Sequence, residues 1–279
     1  MIHVQIPAIK RVGGALMLPV LVILLYACQR VVSIDLNQAN PQMVIEGVVT
    51  NQGGPYKVVL SKTGDYFTPS LTFPQVSNAL VVINDNAGIA DTLNNAGGGT
   101  YVSSHLQGVP GRVYTLRVFA EGKEYDATSP MPEKVRIDTL IALPMREFDG
   151  DRGYNLYIVF TDPSETPNWY RVEAHTHQAP VDSVTGRRFL LFNDKLTNGS
   201  QTTFRIRAAR SANPGDTVTV RLYSIDKGTY DYYNTVNDVL ASDRSPTSLS
   251  PANPNTNLSN GSLGYFAAFA IDSLSVVLR

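Results

Sequence analysis

The chain has 279 residues, 23 Lys and Arg against 24 Asp and Glu, and a formal net charge of −1. That balance removes the electrostatic argument for a nucleic-acid partner or an anionic membrane surface. Hydrophobic residues make up 43% and charged residues 17%, too apolar for disorder and enough for one large or two small domains. The 21 Gly, 17 Pro and 14 Tyr suit a turn-rich sheet protein. The single cysteine, Cys28, allows no intramolecular disulfide and no cysteine-based metal site, so stability must come from buried area.

Lys10 and Arg11 precede an uncharged apolar run from Ala15 to Ala27. As a helix that run rises only about 20 Å, short of the roughly 30 Å hydrocarbon core of a bilayer. It therefore predicts a signal segment over residues 1–27 rather than a spanning helix. Leu25-Tyr26-Ala27-Cys28 resembles the lipobox of bacterial lipoproteins, which implies cleavage before Cys28, a lipid on that cysteine, and a lipidated tether over 28–41. The first acid after the cysteine is Asp35, which leaves the face of the membrane open.

Met43–Val49 reads as a first strand. After the turn signal Asn51–Pro55, Tyr56–Leu60 reads as a second. Residues 64–74 read as a long loop, Ala79–Ile83 as a buried strand and Gly99–Val102 as another. The clearest hairpin is Arg112–Thr128: Tyr114, Leu116, Val118 and Ala120 alternate inward, Glu121-Gly122 turns, and Tyr125 and Ala127 continue the inward face. Pro130 and Pro132 interrupt any ladder, and the domain boundary is placed there, giving 42–131 and 132–279. In the second part Val135–Leu140, Tyr154–Thr161, Trp169–His177, Phe189–Phe192, Thr203–Ala208 and Thr217–Ser224 read as strands. One helix is predicted after an N-cap at Asp226, with Tyr230, Tyr233, Val236 and Leu240 at helical spacing. Ser242–Asn260 reads as a long loop, mobile or partner-binding. Gly264–Ala270 and Ser273–Leu278 close the chain as two strands. The fold class is all-β: two β-sandwich domains, the first immunoglobulin-like, with one short helix in the second.

Several pieces in fixed order carry a family resemblance. They are Cys28 with Val32-Ser33-Ile34-Asp35, Met43–Gly47, Gly54–Ser61, Leu106–Leu116, Asp162-Pro163 with Asn168–Val172, and Ser224–Lys227. Together they resemble the Bacteroidetes lipoprotein family catalogued as domain of unknown function 4249. The resemblance implies an outer-membrane lipoprotein, accessory to a TonB-dependent transporter of nutrients or metals. It supplies no catalytic residues.

Glu173, His175 and His177 lie at period two on one strand face. Two imidazoles and a carboxylate are the ligand types of zinc or copper, but no further ligand is identifiable and a solvated polar face explains the pattern equally well. Asp149, Asp151, Asp162 and Glu165 are candidates for calcium or glycosidase chemistry, against which the plain reading is a turn with helpful carboxylates. No G-x-S-x-G, Walker or H-E-x-x-H motif occurs, so no enzyme, metal or cofactor is expected. Asp91-Thr92-Leu93, Asp138-Thr139-Leu140, Asp182-Ser183-Val184, Asp216-Thr217-Val218 and Asp272-Ser273-Leu274 resemble acceptor triplets of Bacteroidetes O-glycosylation; strand starts after a turn account for most of them.

Loop aromatics are the binding candidates. Tyr66, Phe67 and Phe73 lie in the first long loop, and Tyr232 is expected to point away from the buried stripe of its helix, either for a protein partner or for carbohydrate stacking. The expected function is a non-enzymatic accessory or binding subunit of a TonB-dependent uptake system, anchored to the outer membrane through its lipid. A surface glycan-binding adhesin is the alternative, and a hydrolase the third reading.

Overall fold

The computed structural model describes residues 41–64, 73–145, 153–176, 189–206, 212–242 and 253–279. Alternating burial along Met43–Thr50 (β1), Lys57–Lys62 (β2) and Tyr154–Thr161 (β10) shows the period-two pattern at work: apolar residues on one face, polar or half-buried ones on the other. The other strands are Ala79–Asp85 (β3), Ala90–Thr92 (β4), Asn94–Gly97 (β5), Thr100–Val102 (β6), Val113–Ala120 (β7), Lys123–Pro130 (β8) and Thr139–Pro144 (β9). They continue as Trp169–Thr176 (β11), Leu190–Asn193 (β12), Gln201–Ile206 (β13), Thr217–Ile225 (β14) and Leu263–Val277 (β15). The helix α1 spans Lys227–Ser242. The fold is all-β with one helix among the described residues.

An eight-stranded sheet, in the order β12-β11-β14-β15-β1-β2-β6-β5, forms the common layer. A four-stranded sheet, β4-β3-β7-β8, and a three-stranded sheet, β13-β10-β9, complete two β-sandwiches with it. The first core holds Ile45, Val58, Leu60, Val81, Ile83, Leu116 and Val118; the second holds Leu156, Ile158, Phe160, Val172, Val220 and Leu222. Along the common sheet the register carries Ala270 of the first core beside Ser224, two residues from Leu222 of the second. Both cores therefore lie on the same face of that sheet. A third apolar cluster, with Tyr223, Ile225, Tyr265, Ala267 and Phe269, lies on the opposite face, under α1.

The β7–β8 hairpin forms as its alternation predicts. Tyr114 to Ala120 and Tyr125 to Ala127 alternate inward, and Glu121 and Gly122 take positive φ of 54° and 74° at the turn. The helix also begins as predicted, with Asp226 Oδ1 accepting the Thr229 amide at 2.7 Å.

Three features differ from the sequence reading. The stretch from Val135 to Ile137 is not ladder-paired, because side chains take amides there: Val135 N donates to Ser224 Oγ at 3.2 Å and Ile137 N to Asp272 Oδ2 at 2.9 Å. The two expected C-terminal strands are one strand, β15, since Asp272 satisfies its carboxylate on Ile137 and Lys134 without breaking the ladder. Finally, Leu258, Phe266, Ala268 and Ala270 belong to the first core, so residues 42–131 do not complete it.

Strand β15 joins the two sandwiches, running antiparallel to β14 and parallel to β1. The close approach to β1 needs Gly264, which has φ +92° and where a Cβ would sit 2.1 Å from the Ile45 carbonyl oxygen. Beyond β1 the Asn51 side chain prolongs the ladder. Its Nδ2 donates to the Ile271 carbonyl at 3.1 Å and its Oδ1 accepts the Ile271 amide at 2.7 Å.

Candidate functional site

The outward face of β11 is set by the same alternation that buries Tyr170, Val172 and Ala174. It presents Trp169, Arg171, Glu173 and His175 toward the helix side of the sheet. That face is not the solvated surface its polar residues suggest. Arg171 has a side chain only 9% exposed. Its guanidinium carbon lies 4.2 Å from the Tyr223 ring centroid, 4.8 Å from Tyr233, 5.6 Å from Phe189 and 5.7 Å from Phe269. Four rings thus replace water around a cation.

One carboxylate balances it. Arg171 donates to Glu173 Oε1 at 2.5 Å, and Glu173 Oε2 is shared by the Tyr223 hydroxyl and by His175 at 3.3 Å. Burial opposes ionisation of Glu173, but the Arg171 charge, the Tyr223 hydroxyl and His175 outweigh it and hold the carboxyl below its ordinary value. Burial and then Glu173 push the Tyr223 phenol up to about 12. Among the described residues Arg171 Nε has no hydrogen-bond partner.

Beside this cage opens a cleft of about 390 Å³, within the range of roughly 300–1,000 Å³ usual for small-ligand sites. Its walls are Tyr232, Tyr233, Tyr265 and Phe189, with Val48 and Ala267 as apolar lining and Glu46 and Lys57 at the charged edge. Tyr232 and Tyr265 stack with centroids 4.5 Å apart and planes 20° apart. Phe189 meets Tyr233 at 4.4 Å and is held by Asn237, whose side chain bonds both its amide and its carbonyl at 3.0 Å. Burial, and then the nearby Glu46 charge, raise the Tyr232 phenol above its ordinary value.

The structure treats the sequence candidates unequally. Cys28, Tyr66, Phe67, His177, Asp149 and Asp151 lie outside the described residues. Phe73 is 60% exposed and lies apart from the cleft. Tyr232 does not point away from its helix into solvent as expected; it folds onto Tyr265, because β15 presents a ring at that height. Glu173 and His175 share a face but serve Arg171, and no group of three or more His, Cys, Asp or Glu placed for a metal occurs among the described residues. Asp162 is buried and structural: it accepts the Tyr170 hydroxyl at 2.5 Å and the Gly199 amide at 3.0 Å. The expected loop over 242–260 is pinned where it is described. Leu258 is buried, and Asn257 bonds Phe266 through both side-chain atoms at 2.7 and 3.1 Å.

Sequence reasoning missed Arg171, Phe189, Tyr265, Glu46 and Lys57. The available signal was an arginine at the outward position of a strand whose partner strand carries Tyr223 at the same register.

No helix among the described residues is long and apolar enough to cross a membrane. No curated protein matches the chain. Among solved structures, a two fibronectin type-III domain segment from chicken tenascin is similar at 14% identity, over 66% of this chain and 91% of that one, with a TM-score of 0.20. The family model described as "Domain of unknown function (DUF4249)" matches residues 29–275, nearly the whole chain, and the protein belongs to that family.

Proposed function

We propose that this protein is a lipid-anchored, non-enzymatic binding subunit that serves a TonB-dependent outer-membrane transporter. The observation that carries the reading is the cleft under α1. Stacked and tilted rings line it, an acid and a base stand at its edge, and a rigid sheet forms its base. Such a site recognises a ligand by shape, ring contact and a few charges. The lipobox at Leu25–Cys28 supports the anchor, with Cys28 as the lipidated residue. The family resemblance supports the transporter as partner and the outer membrane as the location.

The test is extraction of the native protein from membranes in mild detergent, followed by affinity purification and identification of what accompanies it. A TonB-dependent transporter in stable proportion is the expected result. The Cys28→Ser protein should take up no fatty-acid label and should leave the membrane fraction. A protein that purifies alone, or a labelled Cys28→Ser variant, overturns the corresponding half of the reading.

A further inference from the structure

Glu46 and Lys57 stand on neighbouring strands and project from the same face of the common sheet. Glu46 pairs with Val59, two residues beyond Lys57 on β2, so parity puts both charges on the cleft side. Diagonal neighbours of this kind are about 7–8 Å apart. They are opposite charges at the edge of one cleft, and among the described residues neither has an ion-pair partner. Both are exposed, so both are available to a ligand.

The rest of the lining is mainly rings and small apolar groups: Tyr232 against Tyr265, Tyr233 and Phe189. A densely hydroxylated ligand would find few planar polar groups there. An apolar body with one positive and one negative end would find a counterpart for each part. The spacing narrows the choice further. A single amino acid carries its ammonium and carboxylate on one carbon, whereas two extended residues span roughly 7 Å, comparable with the spacing of the strand positions from which Glu46 and Lys57 project.

Building on the cleft as a ligand site, we propose that it binds short peptides of about two residues with free termini and apolar or aromatic side chains. The ammonium end meets Glu46, the carboxylate end meets Lys57, and a side chain packs against Tyr232 and Phe189. Charge-assisted hydrogen bonds at both ends supply selectivity for the zwitterion, and the rings supply contact area.

The test is calorimetric titration of the full-length protein in detergent with phenylalanyl-phenylalanine, its N-acetyl form, its C-terminal amide, and cellobiose. The free dipeptide should bind, and each blocked form should bind roughly tenfold more weakly or worse. Glu46→Gln should abolish the preference over the N-acetyl form alone, and Lys57→Met the preference over the amide alone. Both variants should keep the parental melting temperature, which separates lost recognition from lost folding. Equal binding of free and blocked dipeptides, no dipeptide binding, or tighter binding of cellobiose overturns the proposal. Transporter co-purification is read separately, so its outcome bears on the accessory role and not on this ligand.

Discussion

The two sandwiches share one sheet yet satisfy their interiors by different means. In the first, phenol hydroxyls and carboxylates fasten loops to the core. The single Tyr56 hydroxyl proton is shared between the Thr50 and Gln52 carbonyls, each at 2.8 Å, and the same oxygen accepts the Gly108 amide at 2.8 Å. Tyr101 bridges Val76 and Ala79 at 3.1 and 3.0 Å, and Tyr114 accepts the Val109 amide at 2.7 Å. Asp91 Oδ2 accepts three consecutive amides, from Ser104, His105 and Leu106, each at 2.8 Å. In the second, rings pack on rings: Tyr170 stacks on Phe192 at 4.9 Å and Phe192 on Phe204 at 4.5 Å, with Phe160 alongside. Its charged cluster lies on the outer face, under the helix. The first half thus depends chiefly on many directional bonds, each costly to leave unmade, whereas the second adds to the buried Tyr170–Asp162 hydrogen bond a chain of ring contacts that supplies area.

The largest expected effect falls on the piece that both halves share. Phe266 is fully buried in the first core although it lies on the last strand. Phe266→Ala should cost about 3–5 kcal/mol by denaturant unfolding, with tyrosine probes of the first half reporting the loss. For the same reason a fragment ending at Pro130 lacks β15, the parallel partner of β1, and should show no cooperative melt. A fully folded fragment would show that the first half closes without β15.

Asp91→Ala should cost about 2–3 kcal/mol, because it strands three amides. Burial raises the Asp91 carboxyl, but the His105, Leu106 and Ser104 amides outweigh it and the net shift is downward. A carboxyl lowered by folding stabilises fully above its unfolded value of about 3.9 and loses that contribution as pH falls through its folded value. Acid unfolding of the parent should therefore steepen below about pH 4, and Asp91→Ala should flatten that limb. An unchanged acid profile would mean that these amides find other partners.

On the outer face of the second half, Glu173→Gln removes the countercharge of Arg171. Breaking a buried pair costs roughly 3–5 kcal/mol, but Glu173 is 29% exposed, so about 2 kcal/mol is expected. The Arg171→Leu, Glu173→Gln double variant should recover part of it, since the uncompensated cation is gone. Additive losses would show that the two side chains stabilise the face independently.

Asp226→Ala is the smallest, at about 1 kcal/mol for a lost N-cap. The same carboxylate accepts the Ser129 hydroxyl at 2.7 Å, and Ser129 accepts the Ala268 amide at 2.9 Å. A clearly larger loss would indicate that this relay between β8, β15 and α1 matters more than the cap.

Local pattern was the readable part of the sequence. Inward alternation located the β7–β8 hairpin and its Glu121-Gly122 turn, and Asp226 before a tyrosine-rich periodic stretch located the helix. The misses were long-range. Nothing near Gly264 in sequence announces parallel pairing with a strand more than two hundred residues earlier, because pairing partners at that distance leave no local period. Arg171 was passed over and Tyr232 misread for one reason: a strand or helix pattern tells which face a residue occupies, but not whether another element covers that face. The helix covers it here, turning a polar edge into a caged cation and a free ring into a cleft wall. Even the deepest helix positions, Thr229 and Asn237, are polar, so a search for an apolar stripe passes over them.

Pairing the first described strand with the last also orders events in time. A polypeptide that leaves a ribosome or a membrane channel N-terminus first presents β1 long before β15 exists outside. Until then one edge of β1 has no partner, and an open edge invites pairing with other chains. Contacts between such distant positions are also the slowest to form. The first sandwich therefore cannot complete its β1 edge until β15 has emerged, and its closure is among the last events of folding.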